Sequence, residues 1–103
     1  MERTLRNLRR SMDGDIYVWL RDSEIGYFFM ENATTEGFTL GGDRPIVHQY
    51  EEIMALHDDT ISYVGANGRI RFQCGETPNF HRVDYEKYLM NETDYRFCEE
   101  NVQ

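Results

Sequence analysis

The segment DIYVWL, at residues 15–20, constrains the fold more than any other part of the chain. Its β-branched and aromatic residues favour a β-strand, and successive side chains on a strand point to opposite faces. Alternation places Ile16 and Val18 on one face and Tyr17 and Trp19 on the other. Apolar side chains on both faces are typical of a central strand, or of a strand covered by a helix.

A helix is predicted directly after this strand, over residues 23–36. Asp22 and Ser23 are good N-cap residues, and Gly37 fits the position that follows a helix. The buried stripe of this helix is expected to comprise Ile25, Phe28, Phe29 and Ala33. Residues 38–40 then predict a short strand, and a strand–helix–strand unit of this length allows parallel or split pairing.

The middle of the chain predicts a β-meander over residues 52–74. Its three strands are expected at residues 53–57, 60–64 and 69–74. Asn67 and Gly68 are typical of a tight hairpin turn between the last two strands. The alternating pattern that follows places Ile70, Phe72 and Cys74 on the inward face.

Short helices are expected near both ends of the chain. Leu5 and Leu8 lie on one helical stripe, which predicts a basic helix within residues 1–11. Near the other end, Asp84 can cap a helix that carries Tyr85 and Tyr88 at helical spacing. We therefore expect one α+β domain over residues 1–103, with a four- to five-stranded, mostly antiparallel sheet and a helix on one face. Its parts are the N-terminal helix 1–11, a core over 15–90 and an acidic tail over 91–103.

Composition excludes several classes of protein. With 103 residues, 40% of them hydrophobic and 14% aromatic, the chain can build one modest core and is too apolar for a disordered protein. No run approaches the roughly 20 apolar residues of a membrane-spanning helix, and no signal sequence is recognisable. We therefore expect a cytoplasmic protein without membrane contact, in which Cys74 and Cys98 are reduced.

Charge is divided unevenly along the chain. The net charge is −8, yet the first ten residues hold four arginines against one glutamate. These arginines are Arg3, Arg6, Arg9 and Arg10. The rest of the chain is acidic, so it would repel nucleic-acid phosphates and suits contact with a basic protein surface. The alternative is that this net charge only keeps the domain soluble. The arginine face could contact phosphates or an acidic partner, or pair with the acidic body of the same molecule.

The last twenty residues interleave acidic and aromatic side chains. The carboxylates belong to Asp84, Glu86, Glu92, Asp94, Glu99 and Glu100. The aromatic rings belong to Tyr85, Tyr88, Tyr95 and Phe97. Such a surface could imitate nucleic-acid phosphates and bases and occupy an arginine-rich channel. The alternative is a docked C-terminal helix whose aromatic rings are core and whose carboxylates face water.

Catalytic and metal-binding motifs are not recognisable in this sequence. His48, His57, His81 and Cys74 lack the spacing of metal ligands or of a nucleophilic pair, and no cofactor-binding motif is present. The adjacent carboxylates of the chain do not imply a shared cleft, because neighbours on a strand point apart. An enzyme that uses His57 or His81 as a base is the least favoured class.

A family resemblance rests on residues 1–10, MERTLRNLRR, and on residues 36–42, EGFTLGG. These stretches, with the small size and acidity, resemble proteins of phages and mobile elements of Firmicutes, including type II anti-CRISPR proteins. The resemblance implies a non-enzymatic inhibitor that binds the CRISPR effector Cas9, its guide RNA or their assembly. The resemblance transfers no functional residue to this chain. The expected contact residues come from the charge pattern: the four N-terminal arginines, which could contact guide RNA, and the six C-terminal acidic residues. The alternative is a structural or regulatory interaction module, for example a homodimer.

Overall fold

A computed structural model describes residues 3–41 and 51–97 of the chain. Within these residues the chain forms four helices and five strands. In chain order they are α1 (Leu5–Ser11), β1 (Asp15–Trp19), α2 (Ser23–Thr35), β2 (Thr39–Leu40), β3 (Ile53–Leu56), β4 (Thr60–Tyr63), α3 (Gly65–Cys74), β5 (Phe80–Asp84) and α4 (Tyr85–Leu89). The α+β class is confirmed, and so are the positions of α2 and of the first four strands.

The five strands form one mixed sheet in the order β2-β4-β3-β1-β5. β3 pairs antiparallel with both β1 and β4, whereas β1–β5 and β2–β4 are parallel pairs. The expectation of a mostly antiparallel sheet is therefore wrong. Two helices lie in crossover connections of this sheet: α2 between β1 and β2, and α3 between β4 and β5. Each of these connections joins two parallel strands that are not neighbours in the sheet.

The third strand of the predicted meander is wrong, because residues 65–74 form the helix α3. Gly68 is not a hairpin residue but a close-packing one, since a Cβ there would lie 2.4 Å from the Cβ of Val64. Phe72, one helical turn later, is buried against Phe97, whereas Ile70 and Cys74 are exposed, so their inward placement is wrong. Tertiary packing thus overrides a short alternating pattern, as it commonly does.

Both faces of the central strand β1 are buried, as its sequence predicts. Ile16 and Val18 face a core shared with α1, α2 and α4, while Trp19 on the other face belongs to a cluster with Phe72 and Phe80. The described residues contain no helix that is long and apolar enough to cross a membrane.

The buried stripe of α2 differs from the prediction at one residue. Ile25, Phe29 and Ala33 are buried, but Phe28 is 41% exposed and Met30 is buried in its place. Residues four apart lie on one side of a helix, so the 25–29–33 line defines the inner face and turns Phe28 toward solvent. The assignment of Phe28 to the core is therefore wrong.

Candidate functional site

The N-terminal arginines contact the acidic body of their own chain. The Arg6 guanidinium lies 3.2 Å from the Asp59 carboxylate and also donates to the Glu36 carbonyl at 3.0 Å. Arg9 Nε lies 3.0 Å from the Asp58 carboxylate. Two of the four arginines thus pair with carboxylates of the same molecule, as one of the alternatives predicts.

Helix α1 is held in place by its backbone as well as by its side chains. The Glu36 carboxylate accepts hydrogen bonds from the backbone N–H groups of Leu5 and Arg6, at 2.8 and 3.0 Å. Leu5 and Leu8 are fully buried, and the Tyr88 hydroxyl donates to the Thr4 carbonyl at 2.6 Å. The basic helix is therefore part of the core and not a free arm.

Arg3 and Arg10 have different surroundings. The Arg3 guanidinium lies 5.0 Å from the ring centroids of both Tyr88 and Tyr95, and it donates to the Glu92 carbonyl at 3.1 Å. Arg10 is exposed on the last turn of α1. Of the four arginines, Arg10 is thus the one displayed to solvent.

The C-terminal carboxylates that the structure describes differ in their surroundings. Asp84 is buried and caps α4 by accepting from the Lys87 N–H at 3.4 Å, and its burial raises its pKa. The Glu86 carboxylate lies 2.5 Å from Arg21, and this contact raises the arginine's pKa. Glu92 is exposed.

The end of the described chain adds little to an acidic tail. The Asp94 carboxylate accepts a hydrogen bond from the Arg96 N–H at 3.1 Å and lies 3.4 Å from the Arg96 guanidinium, and these contacts lower its pKa. Glu99 and Glu100 lie outside the described residues, as does the rest of the predicted tail from residue 98.

The aromatic rings interleaved with these carboxylates are mostly core residues. Tyr85 and Tyr88 are buried, and Tyr95 and Phe97 are partly buried. Burial raises the pKa of Tyr85 well above its usual range and that of Tyr88 to about 12. The structure therefore matches the docked-helix alternative for Tyr85 and Tyr88, which lie on α4. Tyr95 and Phe97 lie beyond that helix and are half-buried.

Exposed aromatic and acidic side chains meet instead on α2 and α4. Seven residues line a groove of about 280 Å³, which we call the α2–α4 groove: Asp22, Glu24, Ile25, Phe28, Glu86, Leu89 and Met90. Phe28 is 41% exposed, Met90 71% and the neighbouring Tyr27 52%. The sequence does not predict this surface, because its pattern places Phe28 in the core and assigns Met90 to no element. The signal that could have found it is the spacing of Glu24, Phe28 and Glu31, which places them on one helical stripe.

A second cleft, of about 300 Å³, lies on the opposite face of the sheet between α3 and the end of the described chain. Glu52 accepts hydrogen bonds from the Trp19 indole and from Arg69, both at 3.1 Å, and these bonds lower its pKa. The Arg82 guanidinium lies 5.3 Å from the ring centroid of Phe72 and 5.1 Å from that of Phe97. The charged groups of this cleft thus serve to join β1, β5 and α3.

The histidines and Cys74 do not come together in the part of the chain that the structure describes. His57 Nε2 lies 3.3 Å from the Ser62 hydroxyl, His81 Nδ1 lies 3.6 Å from the Glu76 carboxylate, and Cys74 is exposed and free. His48 lies outside the described residues. Within residues 3–41 and 51–97, no three His, Cys, Asp or Glu side chains are grouped closely enough to hold a metal ion.

Comparisons of the chain with models of protein families, with curated protein sequences and with solved structures found no match.

Proposed function

We propose that the protein is a non-enzymatic inhibitor that covers a basic surface of a nucleic-acid enzyme. The observation that supports this function is the internal use of the arginines. Arg6 and Arg9 are paired with Asp59 and Asp58, so the basic segment of the sequence does not form a basic patch on the surface. A chain of net charge −8 then offers carboxylates to its surroundings, and such a surface attracts cationic protein and repels nucleic acid.

Cas9, with or without its guide RNA, is the specific partner that the family resemblance implies. Its nucleic-acid channel is the kind of positively charged surface that an acidic protein can occupy. Contact with guide RNA through the N-terminal arginines would depend on Arg10, the exposed member of the four.

The test of this function uses the whole protein and measures binding to purified Cas9, free and loaded with guide RNA. We expect binding that weakens steeply as salt rises, together with inhibition of DNA cleavage, because an interface between opposite charges is screened. Failure to bind either form removes Cas9 as the partner. Partners captured from a bacterial lysate that are neither basic nor nucleic-acid enzymes would contradict the wider proposal.

The alternative of a homodimer is not tested by removing the N-terminal helix. Deleting residues 1–11 would remove the buried Leu5 and Leu8, so the deletion would damage the core whether or not a dimer exists. Light scattering on the intact chain measures the oligomeric state directly. A dimer that persists at high salt would favour a structural or regulatory module over the inhibitor.

A further inference from the structure

The exposed side of α2 combines large apolar side chains with carboxylates. Phe28 and Met90 line the α2–α4 groove and expose large apolar side chains, and the exposed Tyr27 ring lies 6.4 Å from the Phe28 ring, centroid to centroid. Carboxylates lie beside them, with Glu24 one turn before Phe28 and Glu31 about one turn after it. Contiguous apolar area with a polar rim marks an interaction surface, whereas scattered apolar residues do not.

The carboxylates of this groove are not fully matched by cations of the same molecule. Glu86 is paired with Arg21, at 2.5 Å. Asp22 accepts the Ile25 N–H at 3.0 Å as the N-cap of α2, and neither it nor Glu24 forms an ion pair with a described residue. The rim of the α2–α4 groove therefore carries net negative charge around an apolar floor.

We infer that the α2–α4 groove is a docking site for a basic segment of a partner protein that carries a large apolar side chain between lysines or arginines. The apolar side chain would contact Phe28 and Met90, and the flanking cations would face Asp22 and Glu24. This inference rests on the proposed function in naming the partner as a basic protein, and it places the contact on α2 and α4 instead of on the C-terminal tail.

Other occupants fit the charge of the groove less well. Nucleic acid and anionic lipid headgroups would place phosphates beside Asp22, Glu24 and Glu86, which is repulsive. A second copy of the chain, joined by a two-fold axis through the groove, would bring the same carboxylates together. A protein segment with both cationic and apolar side chains is complementary to the acidic rim and to the apolar floor of the groove.

The direct test uses a synthetic, fluorescently labelled peptide of about 18 residues, with leucines on one helical face and lysines and arginines beside them. Its binding to the intact protein is followed by fluorescence anisotropy. We expect Phe28→Ala to weaken binding at least tenfold and Glu24→Gln to weaken it several-fold, with a smaller loss at high salt for Glu24→Gln. A peptide of the same composition with a scrambled order should bind less tightly.

Two variants serve as matched controls on surfaces away from the groove. Ile70→Ala removes an exposed apolar side chain from α3, which packs on the opposite face of the sheet. Asp13→Asn removes one exposed carboxylate before β1. It lies at the end of that strand opposite to the start of α2 and to the groove, about 17 Å away along the strand. Both should bind the peptide as the unmodified protein does.

The outcomes separate this inference from the proposed function. The docking site would be overturned if Phe28→Ala and Ile70→Ala weakened peptide binding equally, or if neither variant weakened it. Salt-sensitive binding of the whole nucleic-acid enzyme that Phe28→Ala leaves unchanged would overturn the docking site and keep the function. Peptide binding at the groove, without binding of any nucleic-acid enzyme, would keep the site and remove the function. Circular dichroism of each variant verifies that the fold is intact.

Discussion

Phe28 and Phe29 are chemically identical neighbours on α2, yet the structure assigns them opposite environments. Phe29 is fully buried and contacts the Tyr85 ring edge-to-face, with centroids 5.3 Å apart. Truncating a buried phenylalanine to alanine typically lowers the free energy of unfolding by about 3–5 kcal/mol, because a cavity is added to the lost burial. A domain of this size has a net stability of about 5–15 kcal/mol, so Phe29→Ala should remove a large part of it.

Phe28→Ala should have a much smaller effect on the same quantity. Complete burial of a phenylalanine stabilises by roughly 1.5–3 kcal/mol, and Phe28 is 41% exposed in an open groove, so its truncation leaves no enclosed cavity. Alanine also favours the helix by about 0.5 kcal/mol relative to phenylalanine. We therefore expect a loss of about 0.5–1.5 kcal/mol for Phe28→Ala.

The assay is urea unfolding followed by the fluorescence of Trp19, the one tryptophan of the chain, which is buried in the native state. The two variants should differ in the midpoint of unfolding while the slope with urea stays the same. Equal losses for Phe28→Ala and Phe29→Ala would refute the reasoning, because α2 would then be rotated about its axis and the α2–α4 groove would not exist.

Two further predictions concern α1 and Asp84. Leu8→Ala should lower the free energy of unfolding by about 2–5 kcal/mol, because Leu8 is fully buried, whereas Arg10→Ala should change it by less than about 0.5 kcal/mol; urea unfolding distinguishes an integral helix from a free arm. Burial raises the folded-state pKa of Asp84, so its contribution to stability is lost as pH rises from the unfolded value of about 3.9 through the folded value. Asp84→Asn should therefore gain stability relative to the unmodified protein as pH rises through that window, and a pH-independent difference would contradict the buried carboxylate.

The elements that sequence predicts best are those whose signals are local and strong. β1 has apolar residues on both faces, and it lies in the interior of the sheet between β3 and β5. α2 carries its own N-cap, since Asp22 accepts from the Ile25 N–H, and Gly37 follows its end at a φ of 84°, as a C′ glycine should. Capping residues fix the ends of a helix through backbone hydrogen bonds, which is why the bounds of α2 were predictable.

The elements that sequence does not predict depend on contacts between distant parts of the chain. The strand β5 was missed because its sequence, FHRVD, has few apolar residues and ends in a buried aspartate, yet β5 pairs in parallel with β1 along its whole length. The helix α3 offers no side-chain cap at its start, and Phe72 at its inner side meets Phe97, 25 positions later. Neither the pairing of β5 with β1 nor the contact of Phe72 with Phe97 can be recognised within a short window of sequence.

The location of the candidate site also depends on contacts between distant parts of the chain. Arginines and carboxylates far apart in sequence come within ion-pair distance once α1 docks, as Arg9 and Asp58 do at 3.0 Å. A cluster of like charges in a sequence therefore identifies a surface only if folding does not bring its counter-charges to it. Among the residues that the structure describes, Arg6 and Arg9 are paired and Asp84 is buried, whereas Asp22 and Glu24 near Phe28 are exposed. We therefore place the contact of the proposed basic partner at this rim of the α2–α4 groove, where carboxylates and exposed apolar side chains lie together.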